Sequence, residues 1–248
     1  MDLDRGFDCL IFGRGCAVTD VVDGLALRRS REGDLPVVVQ VSGEAALFSR
    51  PELKVERVSY PVMTPPAAVG VLESIFWKPE MRYQVVAIEV LKPIRQFSVR
   101  RNETSDVAPL SEAIKGTRRV DTAARRDQRN AVCLRDVAYR IHAHIEVAAH
   151  ADKPVAAYRD QLRRRVRKGA CFQRPYLGTR EFSAEFGWPD ETPRADVNEE
   201  IGIMLHSIHR DGGSAQPRME WFAARVVSGV LYVPERGMEL ALPEGQVA

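Results

Sequence analysis

No apolar run in the sequence approaches the roughly 20 residues that a membrane-spanning helix needs. The first residues, MDLDRGFDCLIFGRG, are acidic and then mixed, without the basic start and long apolar stretch of a secretory signal. Cysteine is sparse. Cys9, Cys16, Cys133 and Cys171 form no C-x-x-C pair and match no zinc spacing, so reduced thiols in a cytoplasmic protein are expected. No G-x-S-x-G, H-E-x-x-H or G-x-x-x-x-G-K-[ST] occurs, which removes the common hydrolase, zinc-protease and nucleotide-loop signatures. The carboxylates are scattered and suggest no two-metal pair. No cofactor and no metal are expected. Net charge is only +2, so composition alone points to no polyanionic partner.

Periodicity is present where motifs are not. LPVVVQVSG, residues 35–43, reads as a buried strand ending at Ser-Gly. Residues 44–62 read as loop or short extended chain. Thr64 caps a helix whose first turn holds Pro65 and Pro66, and Pro79 closes that run. Residues 82–94 alternate as a strand, and 95–103 extend it. Residues 104–130 lack apolar periodicity and read as a protruding insertion. Residues 131–147 make a long strand with a bulge near Arg135 and Asp136. A second helix spans 154–168, with Val155, Tyr158, Leu162 and Val166 as its apolar stripe and Gly169 beyond its end. A loop then leads to a short strand by 186, and 202–234 supply two or three more.

From 35 to 186 the order is β-α-β-β-α-β, so the expected class is α+β, a ferredoxin-like, RRM-like domain with a β-hairpin insertion at about 95–130. Residues 1–34 read as an extension, partly disordered, and 187–248 as a small β-rich C-terminal region.

Charge is uneven along this frame. Between Lys92 and Arg129 ten basic residues face five acids. On the second helix Arg159, Arg163 and Arg167 recur every four residues, flanked by Arg164, Arg165 and Lys168, with Asp160 the one acid. A solvated face is the plain alternative, but arginine excess on both helix and insertion favours nucleic acid. The acids from Glu181 to Glu200 should face away from phosphate. His142 and His144 share a strand face and read as structural or RNA-facing rather than a metal pair. His206 and His209 have opposite parity and should not share a site. Trp77, Trp221 and Phe222 are expected in the core; Tyr60 and Tyr176 lie in loops beside basic residues. Metal-free RNA cleavage needs only groups that move protons and stabilise charge, because the 2′-OH is the nucleophile. HADKPVAAY, residues 150–158, offers His150, Lys153 and Tyr158 beside the basic helix.

ALFSRPELKVERVSYPVMTPPAAVGVLESIFWKP, LKPIRQFSVRRNE, LRDVAYRIHAHIE and RRRVRKGACFQRPYLGTREF together resemble the CRISPR-associated RAMP proteins of subtype I-C, the Dvulg branch of the Cas-five family, over roughly residues 36–235. The resemblance implies metal-free cleavage of the CRISPR repeat transcript and retention of the 5′ handle of the guide RNA. It also implies a place in the type I-C Cascade beside Cas-seven backbone subunits and the large subunit, with target DNA as a further partner. The implied RNA contacts are Arg50, Lys54, Arg57, Tyr60, Lys78, Arg100, Arg101, Arg164, Arg167, Lys168, Arg174, Tyr176 and Arg180. The family's cleavage tyrosine falls at Phe76, expected to face RNA without a hydroxyl. Its Lys-His pair falls near 156–158, where this chain reads Ala156-Ala157-Tyr158. Lys153, Tyr158 and His150 are therefore the catalytic candidates. Two readings stay open: a ribonuclease using these groups, and a non-catalytic subunit that binds the handle.

Overall fold

The computed structural model describes residues 19–22, 25–53, 55–104, 106, 109–117, 119–209 and 217–239. Among these, eleven strands and three helices follow in the order β1 (Thr19–Val22), β2 (Leu25–Arg28), β3 (Val37–Ala46), β4 (Arg57–Val58), α1 (Pro65–Ile75), β5 (Met81–Val90), β6 (Gln96–Thr104), α2 (Leu110–Lys115), β7 (Arg126–Val147), α3 (Val155–Lys168), β8 (Glu185–Gly187), β9 (Glu199–His209), β10 (Arg218–Val227) and β11 (Val230–Tyr232). The fold is mixed α/β. One nine-stranded sheet runs β8-β3-β7-β5-β11-β10-β9, with β4 and β6 joined to β7. Neighbouring strands are antiparallel except for the β4–β7 pair.

The long strand β7 organises the sheet. Its second half lies between β3 and β5, with Val37 opposite Ala143 and Met81 opposite Val147. Its first half pairs with β6 from Leu134 back to Arg126, forming an arm. The partner changes around Asp136, which takes φ 51°. The irregularity expected there is thus a local turn of backbone without a register slip against β3. Pro93 cannot donate a ladder hydrogen bond, and β5 and β6 are separate strands rather than one extended run. Gly43 does not end β3. A Cβ there would sit 2.6 Å from Leu177 Cδ1, so glycine serves a close approach while the strand continues to Ala46.

Alternation along β7 sends Ile141, Ala143 and Ile145 to the face covered by α1 and α3. The buried stripe of α3 is Tyr158, Leu162 and Val166, and Gly169 closes the helix at φ 62°. Thr64 Oγ1 accepts from Ala67 N at 3.4 Å at the start of α1. The opposite sheet face carries Arg140, His142 and His144. Arg140 donates to the carbonyls of Asp190 and Thr192, and His144 Nε2 donates to Arg28 O at 2.7 Å. Chain before β3 and after β8 therefore covers this face. Leu25 and Leu27, in the segment read as an N-terminal extension, are buried against Val86, Ala87 and Val230. Residues 1–18 and Lys54 lie outside the described residues. Among the described residues no helix is long and apolar enough to cross a membrane, and Cys133 and Cys171 are free thiols.

Candidate nucleic-acid interface

The C-terminus of α1 and the N-terminal half of α3 meet beside the start of β5. Phe76 leaves the helix in extended geometry, φ −153° and ψ 125°, with its N–H bonded to Leu72 O. Its ring is 5% exposed. It packs against the Tyr158 ring at 6.5 Å and beneath the Arg165 guanidinium at 5.6 Å, while its carbonyl accepts from the Tyr83 hydroxyl at 2.6 Å. Phe76 is therefore a core residue and not the RNA-facing side chain expected. Extended backbone turns the next side chain the opposite way, and Trp77, expected in the core, is 50% exposed.

Tyr158 is buried and its hydroxyl donates to Glu80 Oε1 at 2.9 Å. Burial, and then the Glu80 carboxylate, push this phenol above its ordinary range, so it stays protonated and acts as a donor. Glu80 is held below the usual carboxylate range by its own backbone N–H, then by Tyr158, with the Lys78 ammonium adding to the effect and His150 close by. The structure thus gathers Tyr158, Glu80, Lys78 and His150 at one corner, with Lys153 exposed on the loop between His150 and α3. Nothing in the sequence marked Glu80, because its partner lies 78 positions away.

The basic face of α3 is only partly free. Arg159 pairs with Asp34 at 2.5 Å and Arg163 with Asp160 at 3.4 Å. Arg165 donates to Ile75 O at 3.0 Å, capping α1. Arg164 is exposed beside Gln161, Arg167 lies 4.9 Å over the exposed Trp188 ring, and Lys168 is exposed at the end of the helix. On the arm, Arg100 is exposed. Arg101 pairs with Glu181 at 2.7 Å, and Arg57 and Arg129 share Glu103 at 3.5 and 3.6 Å. Internal ion pairs therefore take up part of the arginine excess. Arg180 is exposed, and Arg174 is exposed but paired with Glu185.

Tyr60, an expected RNA contact, is 1% exposed and donates to Ile203 O at 3.3 Å, so it offers no face to a base. Arg50 lies 4.5 Å over its ring. Tyr176 is half-buried and lines a groove of about 320 Å³ with Phe48 and Tyr60. Phe222 is buried as expected and Trp221 is half-buried.

His142 Nε2 meets the buried Glu89 at 2.6 Å, and Arg140 reaches both Glu89 oxygens at 3.2 Å. Burial acts to raise the Glu89 carboxyl, but His142 and Arg140 outweigh it and hold it low. These histidines are structural. His206 and His209, expected apart, do share a site. A register shift in the β9–β10 pairing at His206 breaks the alternation, bringing both rings to Ser207 Oγ, each at 3.0 Å, and to Glu220 at 3.7 and 3.4 Å. Among the described residues no group of three or more His, Cys, Asp and Glu side chains is placed to hold a metal ion.

Fold and site together define a mixed α/β protein with an antiparallel sheet and a cationic helix beside a small polar cluster. The family model described as CRISPR-associated protein (Cas_Cas5) matches residues 37–234. The CRISPR pre-crRNA endoribonuclease Cas5d of Thermus thermophilus is 41% identical over 226 residues, covering 84% of this chain and 96% of that protein. The protein of the same name from Mannheimia succiniciproducens is 39% identical over 215 residues, covering 79% and 93%. A crystal structure of a CRISPR-associated protein superposes with a TM-score of 0.60 at 22% identity, covering 85% of this chain and 95% of that one, which speaks to the fold. The chain belongs to the Cas5d family of CRISPR-associated proteins.

Proposed function

We propose that this protein binds CRISPR repeat RNA and cuts the precursor transcript as an endoribonuclease, keeping the 5′ handle of the product in a type I-C Cascade. The observation that carries this is the exposed row Arg164, Arg167 and Lys168 running along α3 from the Tyr158–Glu80–His150 corner. Two relatives of about 40% identity named as pre-crRNA endoribonucleases support it. In the reaction the RNA 2′-oxygen bonds to the adjacent phosphorus as its proton passes to a base. The bond to the 5′-oxygen breaks, and that oxygen takes up a proton, leaving a 2′,3′-cyclic phosphate and a 5′-hydroxyl. His150, exposed at the corner, is the proton acceptor in this reading. Lys78 and Lys153 stabilise the charge that develops on phosphate. Tyr158 holds Glu80 in place and is a positioning residue.

A second reading rests on Phe76. It has no hydroxyl and is buried, and the two tyrosine hydroxyls beside it are committed, Tyr158 to Glu80 and Tyr83 to the Phe76 carbonyl. This favours a subunit that grips the handle without cutting it. Incubation of the purified protein with cognate repeat RNA in EDTA separates the two: cleaved product supports the ribonuclease, and intact RNA with tight binding supports the gripping subunit.

The order β8-β3-β7-β5, with α1 after β3 and α3 after β7, supports reading the core as a ferredoxin-like domain over residues 35–186. Residues 187–248 then form its β-rich C-terminal region, and 1–34 an extension whose β2 docks on the sheet. The arm of β6 and β7 is the proposed contact with Cas-seven backbone subunits and the large subunit, and the location is cytoplasmic.

A further inference from the structure

We propose that Trp77 and Phe172 form a stacking platform for unpaired bases of an RNA strand. The proposal rests on the RNA-binding reading above and names the surface that takes the bases. The last carbonyls of α1 are satisfied from the other side of the corner. Ser74 O accepts from Phe172 N at 2.9 Å and Gln173 N at 3.1 Å, and Ile75 O accepts from the Arg165 guanidinium at 3.0 Å. These bonds fasten the loop after α3 to the end of α1, so both aromatic side chains leave one fixed corner of the molecule. Trp77 is 50% exposed there and Phe172 is 85% exposed. Phe76, Ile75 and Val166 form core close by, yet these two rings stay in solvent.

The rim is cationic. Lys78 adjoins Trp77 in the chain and Lys168 precedes Phe172 at the end of α3, both exposed, while Arg174 beyond Phe172 is exposed and paired with Glu185. Protein interfaces deplete lysine around a buried aromatic centre. Rings set among cations match the alternation of base and phosphate along a single strand. A paired A-form helix keeps its bases stacked on one another and offers neither ring a face. The ligand of this corner is therefore an unpaired stretch of RNA.

The test is a binding titration of wild type, Trp77→Ala, Phe172→Ala and the double variant against two labelled RNAs, a short unpaired strand and a fully paired duplex without a loop. Both side chains are exposed, so unchanged thermal unfolding is expected to accompany each substitution. Each single change should weaken binding of the unpaired strand by about tenfold, the scale of one base–aromatic stack, and leave the duplex within about twofold. Wild-type affinity of the variants for the unpaired strand overturns the platform, and so does an equal loss on both RNAs. If the variants keep full RNA affinity but no longer associate with other Cascade subunits, the patch belongs to a protein partner and the proposal falls. Failure of the wild type to bind either RNA overturns the RNA reading itself, and the platform with it.

Discussion

Simultaneous replacement of Arg164, Arg167 and Lys168 by glutamine removes the three α3 cations that are exposed and unpaired with carboxylates among the described residues. Each phosphate contact on a single strand contributes about 0.7 to the slope of log affinity against log salt, so three contacts contribute roughly 2. Between about 50 and 200 mM salt a slope of that size amounts to an about 18-fold loss of affinity, which the wild type suffers and the triple variant escapes. The variant starts weaker at low salt and approaches the wild type at high salt. Arg159 is the internal control, because its charge is already engaged by Asp34 at 2.5 Å. Arg159→Gln should leave the slope unchanged. Titrating repeat RNA at four or more salt concentrations measures both. A triple variant with the wild-type slope, or an Arg159→Gln slope that falls as far per charge removed, refutes the assignment of α3 as the phosphate-contacting face.

Replacing Glu89 by alanine leaves Arg140, His142 and Arg194 without their shared acceptor on the outer sheet face. Removing one member of a buried ionic cluster costs about 3–5 kcal/mol. At about 2–4 °C per kcal/mol for a chain of this size the unfolding midpoint should drop by roughly 6–20 °C; a drop under about 2 °C contradicts the buried network. Stability should also fall in mild acid. Burial holds the His144 imidazole below its ordinary value, so on going below about pH 6.5 the unfolded chain binds a proton that the folded one refuses. The loss is absent above that pH and grows as pH falls. Midpoints recorded from pH 8 to pH 5 should show the decline, and His144→Gln, which keeps a donor for Arg28 O, should flatten it.

The sequence carries α3 almost completely, because the apolar stripe Tyr158, Leu162 and Val166 repeats at the helical period and Gly169 provides the left-handed end. It carries the Thr64 cap for the same local reason. It fails at Phe76 and Trp77, where the helix ends at Ile75, ahead of Pro79, and extended backbone places Phe76 in the core and Trp77 in solvent. It fails again at His206 and His209, where one inserted residue in the β9–β10 ladder overrides the parity rule. The histidine error comes from carrying a period through a point at which the backbone breaks it, whereas the RNA-facing expectation for Phe76 follows the family resemblance, and the helical spacing groups that residue with the apolar positions. Glu80 and the neutralisation of Arg159 by Asp34 were out of reach for another reason. Each depends on a contact between distant parts of the chain that no local pattern encodes.

The claim at the centre of the account is that this chain cuts precursor RNA at the corner built by Glu80, His150 and Tyr158. A denaturing gel of the purified protein with its cognate repeat transcript in EDTA tests it most directly. The account predicts one discrete cut, giving a 5′-hydroxyl fragment and a 2′,3′-cyclic phosphate. His150→Ala should slow the cut by about 10²-fold or more, in keeping with loss of a proton-transfer group. Repeat RNA that stays intact through long incubation with excess protein would contradict the account.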